Sequence, residues 1–156
     1  MKQPELWRCP KCGKRFISKN MWHSCRVYDL EPLFAKCEPQ VLTLYKKFEA
    51  MVLACGPVII EPKRTGIAFQ VRVRTIGCIP RKTHLQIVFA FDRPPRHRRF
   101  FKVTTYTGRF HAHWIEVCTA PELDAEVLNW IHDAYALSAQ KRSEATPKLR
   151  TARRVK

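Results

Sequence analysis

The chain has 156 residues and a formal net charge of +16, from 29 Lys and Arg against 13 Asp and Glu. That length allows one core-bearing domain with a small appendage, and no apolar run approaches the roughly 18 residues that a membrane span requires. Seven cysteines, an odd count with four of them scattered singly, argue against a disulfide framework and for a reducing, cytoplasmic setting.

The first informative stretch is Cys9-Pro10-Lys11-Cys12-Gly13, followed by His23-Ser24-Cys25. Cys9, Cys12, His23 and Cys25 are four donors of the kind that zinc (Zn2+) takes in closed, tetrahedral, structural sites. Gly13 lets the backbone curl so that its amides can point at a thiolate. Phe16, with Trp7 or Trp22, can cover the site. A redox dithiol is the other reading of Cys-x-x-Cys. It calls for a helix opening inside a strand–helix–strand unit, whereas here Pro10 sits within the pair. The His-x-Cys arm is tighter than the His-x3–5-His arm of the commonest fingers. Residues 1–26 form this module, with seven Lys or Arg (Lys2, Arg8, Lys11, Lys14, Arg15, Lys19, Arg26) against Glu5 alone. The polar, cysteine-bearing N-terminus does not read as a signal peptide.

Residues 27–138 read as one α+β domain. A connector over 27–38 offers Leu30, Leu33 and Phe34 to its core. Pro39 suits a first helical turn, and Val41, Tyr45, Phe48, Val52 and Cys55 recur at steps of four and three, which is one face of a helix. Gly56-Pro57 ends it. The period then changes to two. Val58-Ile59-Ile60 is a short strand and Lys63–Gly66 a turn. Ile67, Phe69, Val71 and Val73 alternate with Ala68, Gln70, Arg72 and Arg74, a half-buried strand with a basic outer face. Gly77–Lys82 is a break. Leu85, Ile87, Phe89 and Phe91 mark the next strand. Phe100–Tyr106 and Phe110–Val117 form a hairpin around Thr107-Gly108-Arg109. Thr119-x-x-Glu122 resembles a capping box with Pro121 in the first turn of a second helix, whose apolar face is Leu123, Val127, Trp130 or Ile131, Ala134 and Leu137. The expected architecture is a small N-terminal zinc module, then an antiparallel sheet of about five strands flanked by two helices on one face. Residues 139–156 lose all periodicity, carry seven Lys or Arg against Glu144, and read as a disordered basic tail.

Trp7-x-Cys9-Pro10-x-Cys12-Gly13-x-x-Phe16 with His23-Ser24-Cys25 resembles the front of a bacterial domain family of unknown function. Gly56-Pro57 after a helix, Pro80-Arg81-Lys82 before a strand, and Leu123-Asp124 opening a last helix that ends near Ala134-Tyr135 fit the same family. The resemblance covers residues 5–138 and implies a zinc-binding front and one α+β domain, with no known activity. The helix–sheet–helix order is also similar to the frataxin-like sandwich of some iron chaperones. Those hold iron on acidic helix faces; the first helix here has Lys46, Lys47 and Glu49 and no acidic ridge.

Catalytic machinery is not legible. There is no Gly-x-Ser-x-Gly elbow, P-loop or Gly-x-Gly-x-x-Gly turn, and Cys37, Cys55, Cys78 and Cys118 lack a sequence neighbour that would lower a thiol pKa. Glu61-Pro62-Lys63 mimics part of a nuclease phrase without its apolar continuation. His111 and His113 share one face of a strand and are either core residues or a ligand-handling pair. The basic elements remain: Arg72 and Arg74, Arg81 and Lys82, then Arg96, Arg98 and Arg99 beside Phe100 and Phe101, with Arg150, Arg153 and Arg154 in the tail. Such side chains neutralise phosphates, and exposed aromatics stack on bases. The sequence therefore reads as a non-enzymatic, cytoplasmic binding protein that contacts nucleic acid. The alternatives are a protein-interaction adaptor, and a small-molecule or metal-handling domain using His111 and His113.

Overall fold

Proline and an acidic cap set where the helices begin. In the computed structural model, which describes residues 5–93, 96–107 and 110–140, helix α1 spans Pro39–Leu53 with Pro39 at its start. Val41, Leu44, Tyr45, Phe48 and Val52 form its buried stripe. Cys55 falls just past its end. Gly56 adopts a φ of +144°, and a Cβ there would meet the Tyr135 hydroxyl at 2.5 Å. Both the conformation and the space call for glycine.

The second helix starts later than the Thr119 box suggests. Glu122 accepts hydrogen bonds from the Cys118 and Thr119 N–H groups at 2.6 and 2.8 Å. This closes a separate 3-10 turn, Ala120–Glu122. Leu123 then turns into the core, and Asp124 caps helix α2, Ala125–Ala139, by accepting from Val127 N–H at 3.1 Å. Val127, Trp130, Ile131, Ala134 and Leu137 are all buried, so Trp130 and Ile131 both belong to the apolar face.

The strands are β1 Trp7–Arg8, β2 Arg15–Phe16, β3 Ile59–Pro62, β4 Ile67–Gln70, β5 Arg74–Pro80, β6 Leu85–Phe91, β7 Lys102–Thr107 and β8 Phe110–Val117. β1 and β2 pair alone, and the other six form one sheet in the order β3-β4-β5-β6-β8-β7. Every pairing is antiparallel. Phe89 of β6 lies 6.5 Å from Phe48 of α1 and 6.1 Å from Trp130 of α2, ring centre to ring centre, so both helices pack on the same sheet face. The α+β class thus matches the sequence reading, with six strands in the main sheet where about five were expected.

The extra strand comes from Ile67–Arg74, which is not one strand. The chain turns at 71–73 and returns as β5, carrying Gly77 in its middle. The turn is captured by the end of α2. Val71 N–H donates to Ser138 Oγ at 3.1 Å, Arg72 N–H donates to the Ser138 carbonyl at 3.2 Å, and Ser138 Oγ donates to the Val73 carbonyl. Gln70 turns inward and is buried, so it does not share an outer face with Arg72 and Arg74. The connector behaves as expected: Leu30, Leu33 and Phe34 pack against the core. The hairpin tip at Gly108-Arg109 and the tail beyond Gln140 lie outside the described residues. No described helix is long and apolar enough to cross a membrane.

Phe48 is fully buried and meets Phe69 and Phe89 edge-on. Phe48→Ala is expected to cost about 3–5 kcal/mol in urea unfolding. A cost below about 1 kcal/mol would show that α1 is not seated on this core.

Candidate metal centre

The Cys-x-x-Cys knuckle joins β1 to β2. Cys9 N–H donates to the Lys14 carbonyl at 2.8 Å and Gly13 N–H to the Cys9 carbonyl at 2.9 Å, with Gly13 at a φ of +76°. The amides that reach the Cys9 sulfur are those of Cys12 and Lys11. The Cys12 N–H is the main reason the Cys9 thiol is held down to about 6. Cys25 moves the other way, raised first by desolvation and then by the neighbouring Cys9 and Cys12.

The loop from β2 returns His23 and Cys25 to the knuckle. The ligand atoms of Cys9, Cys12, His23 and Cys25 all lie within 4.8 Å of one another, and this is the one such converging group of three or more His, Cys, Asp or Glu among the described residues. Cys9 Sγ is 3.9 Å from Cys25 Sγ, and His23 Nε2 is 3.3 Å from Cys12 Sγ and 3.5 Å from Cys25 Sγ. Around a tetrahedral zinc, sulfur pairs stand about 3.8 Å apart and sulfur–nitrogen pairs about 3.6 Å, close to these three separations. His23 Nδ1 lies 2.6 Å from the Met21 carbonyl. Donation to that oxygen leaves the Nε2 lone pair free for a metal. Phe16 stacks near His23 at 4.4 Å, with Trp7 at 6.3 Å from the same ring. Trp22 takes no part in this cover.

A residue that sequence reading singled out only as a nuclease mimic fastens this module to the sheet. Glu61 of β3 is buried. It accepts from Arg74 through Nε at 2.9 Å and through Nη2, and pairs with Lys14 at 3.2 Å and Lys63 at 3.9 Å. Lys14 also donates to the Ser24 and Arg26 carbonyls at 2.8 and 2.7 Å, tying the His23–Cys25 arm to the knuckle. Gln70 adds a bond to the Arg15 carbonyl at 2.8 Å.

The basic residues divide into two groups. Arg74 is committed to Glu61 and lies 5.1 Å from the Phe16 ring. Arg99 pairs with Asp124 and Glu126 at 3.2 and 3.4 Å, donates to the Glu122 carbonyl and sits over Trp130. Arg72, Arg81, Lys82, Arg96 and Arg98 have no carboxylate partner among the described residues. Phe100 points into the aromatic core against His113 and Trp130, and Phe101 is exposed. Arg150, Arg153 and Arg154 lie outside the described residues.

His113 is fully buried between Phe91 and Phe100, and burial holds its pKa below the usual histidine value. His111 lies 3.3 Å from the Thr105 hydroxyl. His84 and His97 face Glu116 and Glu126 at 3.7 and 2.9 Å. Cys55, which has no histidine near it in sequence, comes within 3.7 Å of His132 of α2. Burial raises that thiol's pKa, so it is not an activated nucleophile.

Burial alone would raise the Glu61 carboxyl, but Arg74, then Lys63 and Lys14, outweigh it and hold the pKa below the ordinary 4.5. A depressed carboxylate stabilises the fold above its unfolded pKa, and that stability drains away as pH falls through the folded value. Glu61→Gln is expected to cost about 2 kcal/mol at neutral pH and to flatten the loss of stability below pH 4.5. Equal acid sensitivity in both proteins, by denaturant unfolding across pH, would show that this carboxylate does not fasten the module.

No curated protein and no solved structure matches the chain. Residues 30–138 match the model of a family described as a domain of unknown function, DUF5655. The match covers the helix–sheet–helix domain and begins after the four converging ligands, and by it the chain belongs to the DUF5655 family.

Proposed function

We propose that the chain is a non-enzymatic, cytoplasmic binding protein in which a structural zinc folds the front module and a basic surface contacts nucleic acid. The metal part rests on three thiols and one imidazole within 4.8 Å. Four protein donors fill a tetrahedral shell and leave no open position for substrate, which suits a structural and not a catalytic ion. The ion would supply a cross-link; Cys9, Cys12, His23 and Cys25 would hold it.

One observation carries the nucleic-acid reading. In a chain of net charge +16, Arg72, Arg81, Lys82, Arg96 and Arg98 remain without a carboxylate partner among the described residues, and the last four are exposed. Unpaired cations at a surface bind phosphates by releasing counterions, with little sequence preference. Arg74 and Arg99 serve folding in this reading, because each already spends its charge on a carboxylate.

A protein-interaction adaptor is the second reading. It is favoured by the edge strand β7, where Val103 and, just before the strand, Phe101 are about half exposed (49% and 52%) and an extended peptide can add. The burial of His113 in an aromatic core weighs against a ligand site built from His111 and His113.

Binding to a labelled duplex, followed by fluorescence anisotropy, is expected to weaken steeply as salt rises. The combined change Arg96→Ala with Arg98→Ala should lower the slope of log K against log salt by roughly 1–2. Arg99→Ala should reduce stability and leave the slope in place. Absence of binding at low salt would overturn the reading.

A further inference from the structure

The metal module carries three aromatic rings besides its histidine, and the structure uses only two of them. Phe16 is buried against His23, and Trp7 packs on Phe16 at 6.1 Å. Trp22, one residue before the ligand His23, is 93% exposed, more than any other large apolar side chain among the described residues. Asn20, two residues before it, holds a φ of +57°, a left-handed conformation that asparagine tolerates. The flanking hydrogen bond from His23 to the Met21 carbonyl fixes the backbone on either side of the tryptophan. The ring is therefore displayed from a fixed base.

The rest of the module points to one kind of occupant. Lys11, Arg15, Lys19 and Arg26 are exposed and have no carboxylate partner among the described residues. Glu5 is the lone acid of residues 5–28. A lipid surface or a protein groove would be met by a continuous apolar face. Here the exposed apolar side chains Ile17, Met21, Trp22 and Val27 are interspersed along the chain with exposed Ser18, Lys19, Asn20, Ser24 and Arg26. A flat exposed ring on a module rich in free cations is instead a combination that can hold a base by stacking while phosphates are neutralised. A duplex keeps its bases stacked on each other, so only unpaired bases can use it.

Resting on the nucleic-acid reading above, we propose that the metal module is a single-strand contact, with Trp22 stacking on an unpaired base and Lys11, Arg15, Lys19 and Arg26 engaging the flanking phosphates. The module then gives the protein a preference for unpaired strands that the basic surface of the α+β domain lacks. The preference requires no sequence readout, because every base has a face to stack.

The test uses the full chain with a labelled oligothymidine of about 12 nucleotides, within the footprint of single-strand-binding folds, and a duplex of the same length. Trp22→Ala removes an exposed ring, so folding should persist; circular dichroism checks this. It should weaken oligothymidine binding by about 10- to 100-fold, leave duplex binding and its salt slope unchanged, and be partly rescued in Trp22→Phe. If Trp22→Ala binds oligothymidine like the parent while salt-dependent binding persists, this inference fails and the basic-surface reading stands. If the parent binds neither probe at low salt, both fail. Loss of binding to anionic vesicles in Trp22→Ala, with oligothymidine unaffected, would assign the ring to a lipid surface and overturn the proposal.

Discussion

The front of this chain is too small to hold itself together by burial. Its two strands are two residues each, and of residues 5–28 only Cys9 and Phe16 are buried. A segment of this kind needs a cross-link to have one shape. The convergence of three sulfurs and an imidazole provides for one, and the rest of the module follows from it. His23 is oriented by the Met21 carbonyl, Phe16 covers its ring, and Lys14 stitches the returning arm to the knuckle. Glu61 then ties the module to the edge of the sheet through the same lysine.

Charge placement organises the remainder. With so few acids, each carboxylate held by the fold, buried like Glu61 or near the surface like Asp124 and Glu126, decides which cations are spent on folding. Glu61 takes Arg74 and Lys14; Asp124 and Glu126 take Arg99, and Glu126 also faces His97. Arginines left over from this pairing define the surface potential. The net charge favours association with polyanions, and the ion pairs show which described cations are already spent on carboxylates. The proposed division of labour, phosphate contact by the domain and base stacking by the module, follows from which side chains the fold leaves unused.

Much of this was legible in the sequence where periodicity is strong and local. The α1 stripe and the alternation of β6 are set by spacing within one element, and the convergence of Cys9, Cys12, His23 and Cys25 by two short motifs close in sequence. The split of Ile67–Arg74 into β4 and β5 was not, because the turn depends on Ser138, 65 residues away from Val73. The delayed start of α2 was missed for a related reason. Thr119 and Asp124 both carry good caps, and the choice between them rests on burying Leu123. Glu61 gave no sequence signal: its partners Lys14 and Arg74 come from different segments. The approach of His132, midway along α2, to Cys55, just past the end of α1, is likewise a contact that spacing cannot show.

The most direct measurement is X-ray absorption at the zinc edge on the purified chain, together with its metal stoichiometry. The account expects one ion per chain, with three sulfur neighbours at about 2.3 Å and one nitrogen at about 2.0–2.1 Å. Substoichiometric metal, or a shell dominated by oxygen, would contradict it.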